Sequence, residues 1–161
     1  MESVARFRQL YGGQEMEPHI TVKAPCGLDE QANWLPSVRR LCQGVAAFPI
    51  EISGIGTFGS SVLFLRAVSP ALLTLHHSLL QELRISSSDQ DACYEGMRYT
   101  PHLTLTHQQA LGYLSIDAAA SVASGHFHDV MSFQANALTV YCKSSEGTYQ
   151  VFDNIPFCGN L

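Results

Sequence analysis

The chain has 161 residues, 46% hydrophobic and 14% charged, so it holds enough apolar material for one folded domain and lacks the composition of a disordered segment. A formal net charge of −5, with nine scattered basic residues, argues against the basic face that grips long nucleic acids, so any nucleic acid is expected to be held by a short piece or an end. No apolar run reaches the roughly 18 residues of a membrane span and the first residues lack a signal peptide's apolar block, so we expect a cytoplasmic protein without a membrane partner.

The first half of the chain predicts a helix, a strand, a second helix and two further strands. Apolar residues at helical spacing from Val4 to Tyr11, closed by Gly12-Gly13, predict the first helix. Residues 18–24, Pro-His-Ile-Thr-Val-Lys-Ala, alternate as a strand does. A helix is then expected over about 28–43, a strand over 48–57 and another over 62–68.

The second half repeats this order. Leucines at helical spacing after Pro70 predict a helix, and residues 101–107, Pro-His-Leu-Thr-Leu-Thr-His, predict a strand. A helix over about 109–123, a strand over 131–141, a Ser-Ser-Glu-Gly turn and a strand over 149–155 follow.

The matching order of elements indicates an internal duplication of about 80 residues. It predicts an α+β fold with two pseudo-symmetric lobes, about 1–68 and 69–161. The second half has a strand before its first helix, and the first half has no counterpart of that strand. Three explanations stay open: the chain as given starts late, the final strand fills the gap, or an open sheet edge favours a homodimer.

The five cysteines, at positions 26, 42, 93, 142 and 158, form no Cys-x-x-Cys pair. An odd number without metal-site spacing is typical neither of a disulfide framework nor of a zinc ribbon. We therefore expect reduced, partly buried thiols.

The two histidine strands carry a pattern that suits chemistry at phosphorus. In a strand, residues i and i+2 point to one face, so His19 projects with Thr21 and His102 projects with Thr104. If the two faces meet, one neutral imidazole can accept a proton from the attacking oxygen while the other, charged, donates one to the leaving oxygen. The threonine hydroxyls can hold the non-bridging oxygens, and no metal or other cofactor is required.

These residues resemble the paired His-x-Thr-x motifs of the 2H phosphoesterase superfamily, which includes 2′-5′ RNA ligase-like proteins and RNA cyclic phosphodiesterases. The motifs are Pro18-His19-Ile20-Thr21-Val22 and Pro101-His102-Leu103-Thr104-Leu105. The resemblance implies a bilobal α+β fold with antiparallel sheets, helices on the outer faces and an active cleft between the lobes. It also implies that His19 and His102 are the acid and base, that Thr21 and Thr104 bind phosphate, and that the partner is a nucleotide or short RNA end.

Three further residues are candidates for substrate binding. Lys23 shares by alternation the face of His19 and could place a positive charge near a phosphate, although a solvated strand-end lysine is the commoner case. Phe58 and Tyr149 follow equivalent strands or turns and could stack on a nucleobase, with packing as the competing explanation. The pairs around His76 and His126 lack the companions of a metal site, so no metal is expected.

Two functions from different classes fit these patterns. The first is a metal-independent phosphodiesterase acting on cyclic or 2′-linked phosphates, with a 2′,3′-cyclic phosphate end as the expected substrate. The second is a binding module that uses the same cleft to hold an RNA end or nucleotide without turnover, which the weak basic character leaves open.

Overall fold

The computed structural model describes residues 2–12, 16–145 and 147–159. They form five α-helices and six β-strands, with short 3-10 turns at Gly96–Arg98 and Gln108–Ala110. The helices are α1 (Glu2–Leu10), α2 (Leu35–Gln43), α3 (Pro70–Glu82), α4 (Ser87–Ala92) and α5 (Ile116–His126). The strands are β1 (Phe48–Phe58), β2 (Val62–Val68), β3 (His102–His107), β4 (Met131–Ala135), β5 (Ala137–Lys143) and β6 (Tyr149–Pro156).

The chain divides into two compact units, each built from three segments. The first unit takes Met1–Thr21, Glu51–Val68 and Pro101–Ser132, and the second takes Val22–Ile50, Ser69–Thr100 and Phe133–Leu161. Each unit draws on both sequence halves, and the duplication of the halves stays a prediction. The histidine and threonine of each motif belong to the first unit.

A four-stranded sheet has the order β3-β2-β1-β4, and in it β2 pairs antiparallel with both β1 and β3. Strands β2 and β3 and the part of β1 from Glu51 onward belong to the first unit. Helices α1 and α5 pack against β3 and β2 on one face of this sheet. That face is buried because every second strand residue that points to it is apolar, and because the helices turn apolar residues at helical spacing toward it. The buried set comprises Val4, Phe7, Leu63, Leu65, Leu103, Leu105, Ile116, Ala119, Ala123 and Phe127.

A bulge in β3 changes which side chains face the helices. Phe64 lies opposite Thr104, but Leu63 lies opposite Thr106, so Leu105 is an extra residue without a partner on β2. Thr106 is therefore buried on the helix side, where its hydroxyl donates to the Tyr11 carbonyl at 2.6 Å. By the same shift His107, opposite Val62, comes to the open face with His102.

The second unit contains α2, α3, α4 and the hairpin of β5 and β6. Helix α3 begins at Pro70 because Ser69 caps it, accepting from the Leu72 amide at 3.4 Å. Strand β6 pairs with β5 rather than taking a place in the four-stranded sheet. Homodimerisation through an open edge stays a prediction.

The α+β class and the antiparallel sheet confirm the predicted fold class. Several boundaries differ. The helix expected over 28–43 begins at Leu35, and the helix expected over 109–123 begins at Ile116, where Ser115 provides the cap. The strand expected over 131–141 is divided between β4 and β5 at Asn136, whose carbonyl accepts instead from the Phe157 amide.

The expectation of five reduced thiols is wrong. Cys26 and Cys93 form a disulfide across a sequence separation of 67 residues, which local spacing could not reveal. Cys42, Cys142 and Cys158 are free. In the part of the chain described, no helix has the length and apolar character needed to cross a bilayer.

Candidate active site

The two His-x-Thr motifs lie side by side at the β3 edge of the sheet. Ile20 forms an antiparallel bridge with Leu103, the central residue of the second motif. In an antiparallel register through this pair, His19 comes beside Thr104 and Thr21 beside His102. Leu103 faces the helices and is buried, so alternation along β3 sends His102 and Thr104 to the opposite, open face. From the bridge at Ile20 we expect His19 and Thr21 on the same face.

This arrangement gives the motifs an approximate two-fold relation. In this register each histidine lies beside the threonine of the other motif, and the two histidines form a diagonal pair, whose typical separation in antiparallel sheets is roughly 7–8 Å. His19, His102 and Thr104 are half-buried, and Thr21 is exposed. A phosphate placed on this face would meet both imidazoles and both hydroxyls.

The first motif is not the regular strand that its alternation predicts. Ile20 is its only residue in a β-bridge, and the chain bends at Pro18 and Val22. A side-chain contact orients His19 instead. Its Nδ1 lies 2.8 Å from the Glu17 carbonyl oxygen, which can only accept, so Nδ1 carries the proton and Nε2 of the neutral ring holds the lone pair.

The ring of His102 lies against two aromatic side chains of the same face. Its centroid is 4.9 Å from that of Phe58, edge-on, and 5.1 Å from that of Phe64. The Phe64 ring has room because Gly56 lies opposite it, and a Cβ at Gly56 would come within 2.5 Å of the Phe64 Cζ. Phe58, expected at the cleft rim, thus lies beside a motif histidine and stays 41% exposed.

Arg66 and His107 also belong to this face, although no pattern in the sequence places them there. Arg66 lies directly opposite His102 on β2, and His107 follows the bulge at the end of β3. The i, i+2 relation of Phe64 and Arg66 could have located Arg66 once β2 was paired with β3. The bulge that turns His107 has no signal in the sequence.

Lys23 belongs to the second unit and is held by chain contacts there. Its side chain is 8% exposed, and its ammonium group donates to the carbonyls of Ala24 and Cys26 and to the Glu95 carboxylate at 2.6, 2.7 and 2.9 Å. Glu95 also accepts from the Ala24 amide at 2.7 Å. These contacts favour a structural role, and the role of Lys23 at a phosphate stays a prediction.

Tyr149 begins β6 in the second unit and is exposed, with the Lys143 ammonium 5.8 Å from its ring centroid. Its role in base stacking stays a prediction. Among the residues described, no three His, Cys, Asp or Glu side chains gather where they could hold a metal ion. The expectation of a metal-free site remains a prediction.

The chain is similar to known proteins in sequence and in fold. The family model of the 2′-5′ RNA ligase superfamily matches residues 2–141. A candidate phosphoesterase, BH1439 of Halalkalibacterium halodurans, is 34% identical over 104 residues, which span 61% of this chain and 56% of that protein. The crystal structure of TT0787 from Thermus thermophilus superposes with a TM-score of 0.66 at 16% identity, covering 99% of this chain and 92% of the other, and so shares its fold. The chain therefore belongs to the 2′-5′ RNA ligase superfamily of 2H phosphoesterases.

Proposed function

We propose that the protein is a phosphodiesterase that hydrolyses cyclic or 2′-linked phosphodiesters of nucleotides or RNA ends, with a 2′,3′-cyclic phosphate as the preferred substrate. The observation that carries the proposal is the bridge between Ile20 and Leu103, which sets the two motifs beside each other at one sheet edge. Family membership supports the same class of chemistry.

In the proposed reaction the scissile phosphate lies between His19 and His102. One imidazole, neutral, accepts a proton from water through Nε2 as the water oxygen attacks phosphorus. The bond from phosphorus to the 2′ or 3′ oxygen breaks, and the second imidazole, as imidazolium, gives its proton to that oxygen. The products are a phosphate monoester and a free ribose hydroxyl.

The threonine hydroxyls have a separate task in this scheme. Thr21 and Thr104 donate hydrogen bonds to the non-bridging oxygens, which hold the phosphate in line and stabilise the negative charge that grows on them. The contact of His19 Nδ1 with the Glu17 carbonyl keeps that ring oriented while Nε2 exchanges its proton. The geometry is nearly symmetric, so the orientation of the leaving group decides which histidine acts as base.

The test is hydrolysis of a panel of nucleoside 2′,3′-cyclic phosphates in the presence of EDTA. The variants His19→Ala and His102→Ala are each expected to lose about 10²- to 10⁴-fold in kcat. His77→Ala, an exposed histidine of α3, serves as the matched control and keeps full activity. Activity that disappears with EDTA, or that survives the double variant, contradicts the proposal.

The pH profile gives an independent reading. Because one imidazole must be neutral and the other charged, kcat/KM is expected to follow a bell-shaped curve. A flat profile between pH 5 and 8, with chemistry limiting the rate, argues against the pair. Saturable binding of the same ligands by calorimetry without any product would favour the binding module instead.

A further inference from the structure

Arg66 is a cation on the open sheet face that the two-histidine chemistry does not use. It lies directly opposite His102 across the β2–β3 pair, and its neighbour at i−2, Phe64, lies opposite Thr104. Residues directly opposite in an antiparallel pair have Cα atoms about 4.5–5.5 Å apart, so the side chains of Arg66 and His102 leave the sheet side by side. Arg66 is exposed, whereas Leu65 and Ala67 on either side are buried.

The charge of Arg66 is not neutralised by the residues that the structure describes. Among them it makes no ion pair. The acidic residue on the neighbouring strand of this face, Glu51, lies opposite Val68 and not opposite Arg66. Many other basic side chains are engaged: Lys23 with Glu95, Arg39 with Asp153, Arg40 with Glu82, Arg98 over Tyr94 and Lys143 near Tyr149. The chain as a whole has a net charge of −5. Beside a motif histidine, the guanidinium makes the local electrostatic potential more positive, and this attracts anions.

We propose that Arg66 binds a second phosphate of the substrate, one nucleotide linkage away from the phosphate held by the histidines. This inference rests on the proposed function and narrows its substrate class. The site would prefer a cyclic-phosphate end that carries a neighbouring phosphate, as in an RNA chain or a 5′-phosphorylated nucleotide, over a lone nucleoside cyclic phosphate.

The guanidinium of Arg66 suits the role of a fixed positive charge and not that of a proton carrier. Arginine stays protonated at any working pH, so it has no part in the proton transfers that His19 and His102 perform. Its planar fork matches two oxygens of one phosphate, which gives an additional phosphate both a charge and an orientation. The two threonine hydroxyls already serve the reacting phosphate in the proposed scheme.

Turnover tests the inference with two substrates that differ in one group. The wild-type protein is expected to hydrolyse a nucleoside 2′,3′-cyclic phosphate bearing a 5′-phosphate with a kcat/KM about ten- to hundredfold above that of the 5′-hydroxyl analogue. Arg66→Ala is expected to remove most of this ratio, and Arg66→Lys to keep part of it. Arg6→Ala, an exposed arginine on α1, is the control that keeps the full ratio.

A binding measurement separates failure of this inference from failure of the proposed function. Calorimetry compares a nucleoside 3′,5′-bisphosphate with the 3′-monophosphate on the wild-type protein and on Arg66→Ala, with no turnover needed. A tighter bisphosphate complex that weakens to the monophosphate level in Arg66→Ala supports the second subsite even if no substrate is hydrolysed. Equal affinities in the wild-type protein, or equal losses for both ligands in the variant, overturn it.

Discussion

The ring of Phe58 stands almost perpendicular to the ring of His102, with planes at 88° and centroids 4.9 Å apart. The Phe64 ring packs against both, with its centroid 4.3 Å from that of Phe58 and 5.1 Å from that of His102. Edge-on contacts of this kind fix ring orientation as well as burying area. One of the two proposed proton carriers is thus oriented by packing, whereas His19 is oriented by a hydrogen bond to the Glu17 carbonyl.

Removing the Phe58 ring should impair catalysis more than stability. Phe58→Ala is expected to lower kcat/KM about tenfold, because a misplaced imidazole loses its alignment with the reacting phosphate. The cost in unfolding free energy should stay below about 2 kcal/mol, since Phe58 is 41% exposed and so only partly buried. Steady-state kinetics and urea denaturation measure the two effects.

The matched control is Phe152→Ala, an aromatic of β6 that is 55% exposed and belongs to the other unit. It should leave kcat/KM within about twofold of the wild-type value, as expected of an exposed surface substitution. Equal losses of activity in both variants would show that the Phe58 contact has no special role.

Gly56 should be sensitive to the smallest substitution. A Cβ there would lie 2.5 Å from the Phe64 Cζ, so Gly56→Ala forces that ring away from its place between Phe58 and His102. We expect a loss of about 1–3 kcal/mol in unfolding free energy together with lower activity. Thermal or chemical denaturation and the cyclic-phosphate assay check both.

A second glycine provides the comparison. Nothing lies within 4 Å of a Cβ built on Gly125, near the end of helix α5. Gly125→Ala is therefore expected to be neutral or to stabilise by up to about 1 kcal/mol, because alanine loses less backbone entropy in a helix. A destabilised Gly125→Ala together with an unaffected Gly56→Ala would contradict the packing argument.

The sequence predicted most reliably those elements whose pattern is dense and local. Strand β2 has the predicted bounds, Val62–Val68, and helix α3 begins at Pro70 after a capping serine. Both predictions depend on neighbouring residues alone. For β2 this is the strand pattern of its residues, and for α3 it is proline at the first helical position after the cap. The repetition of the His-x-Thr motif led us to expect that the two motifs share one site, and that shared role stays a prediction.

The rest depended on contacts between distant residues. The alternation of residues 18–24 predicts a strand, yet only Ile20 pairs, because Glu95 captures both the Lys23 ammonium and the Ala24 amide. A carboxylate 71 residues away from Ala24 overrides a local preference, as tertiary context commonly does with strand propensity. The bulge at Leu105 and the disulfide of Cys26 are of the same long-range kind.

The disulfide determines how many free thiols the protein has, and that number can be measured directly. In denaturant without reductant, thiol titration should find three reactive groups, those of Cys42, Cys142 and Cys158, and five after reduction. Cross-linking residues 67 apart should stabilise the fold by about 4 kcal/mol on the loop-entropy model. Reduction, or the substitution of Cys26 and Cys93 by serine, should lower the unfolding free energy accordingly.

Cys142→Ser is the control for this prediction, because Cys142 is free and exposed. It should reduce the unreduced count from three to two and leave stability within about 0.5 kcal/mol. Five reactive thiols in the protein before reduction would contradict the assignment of the disulfide.

Buried His76 should make stability depend on pH. Its side chain is fully buried: Nδ1 lies 2.7 Å from the Val22 carbonyl, to which it donates, and Nε2 accepts from the Gly96 amide at 3.0 Å. Burial lowers the pKa of His76, and nearby His77 and Lys23 act in the same direction, against the Val22 carbonyl and Glu95. The folded state therefore holds His76 neutral where the unfolded chain, with a pKa near 6.5, takes up a proton.

The direction of the pH effect follows from this difference in proton binding. Above about pH 6.5 both states are neutral at His76 and its contribution is complete. As the pH falls below 6.5, the unfolded state gains a proton first, so the free energy of unfolding should decline by up to about 1.4 kcal/mol per pH unit until the folded pKa is reached.

Urea denaturation at pH 7.5, 6.5 and 5.5 measures how the free energy of unfolding changes with pH, above the pH range in which carboxylates usually titrate. His76→Gln, whose amide can still donate and accept, should flatten it, whereas exposed His77→Gln should retain it. NMR titration of the His76 ring gives a second reading, and a ring that becomes charged above pH 6.5 in the folded protein would contradict the prediction.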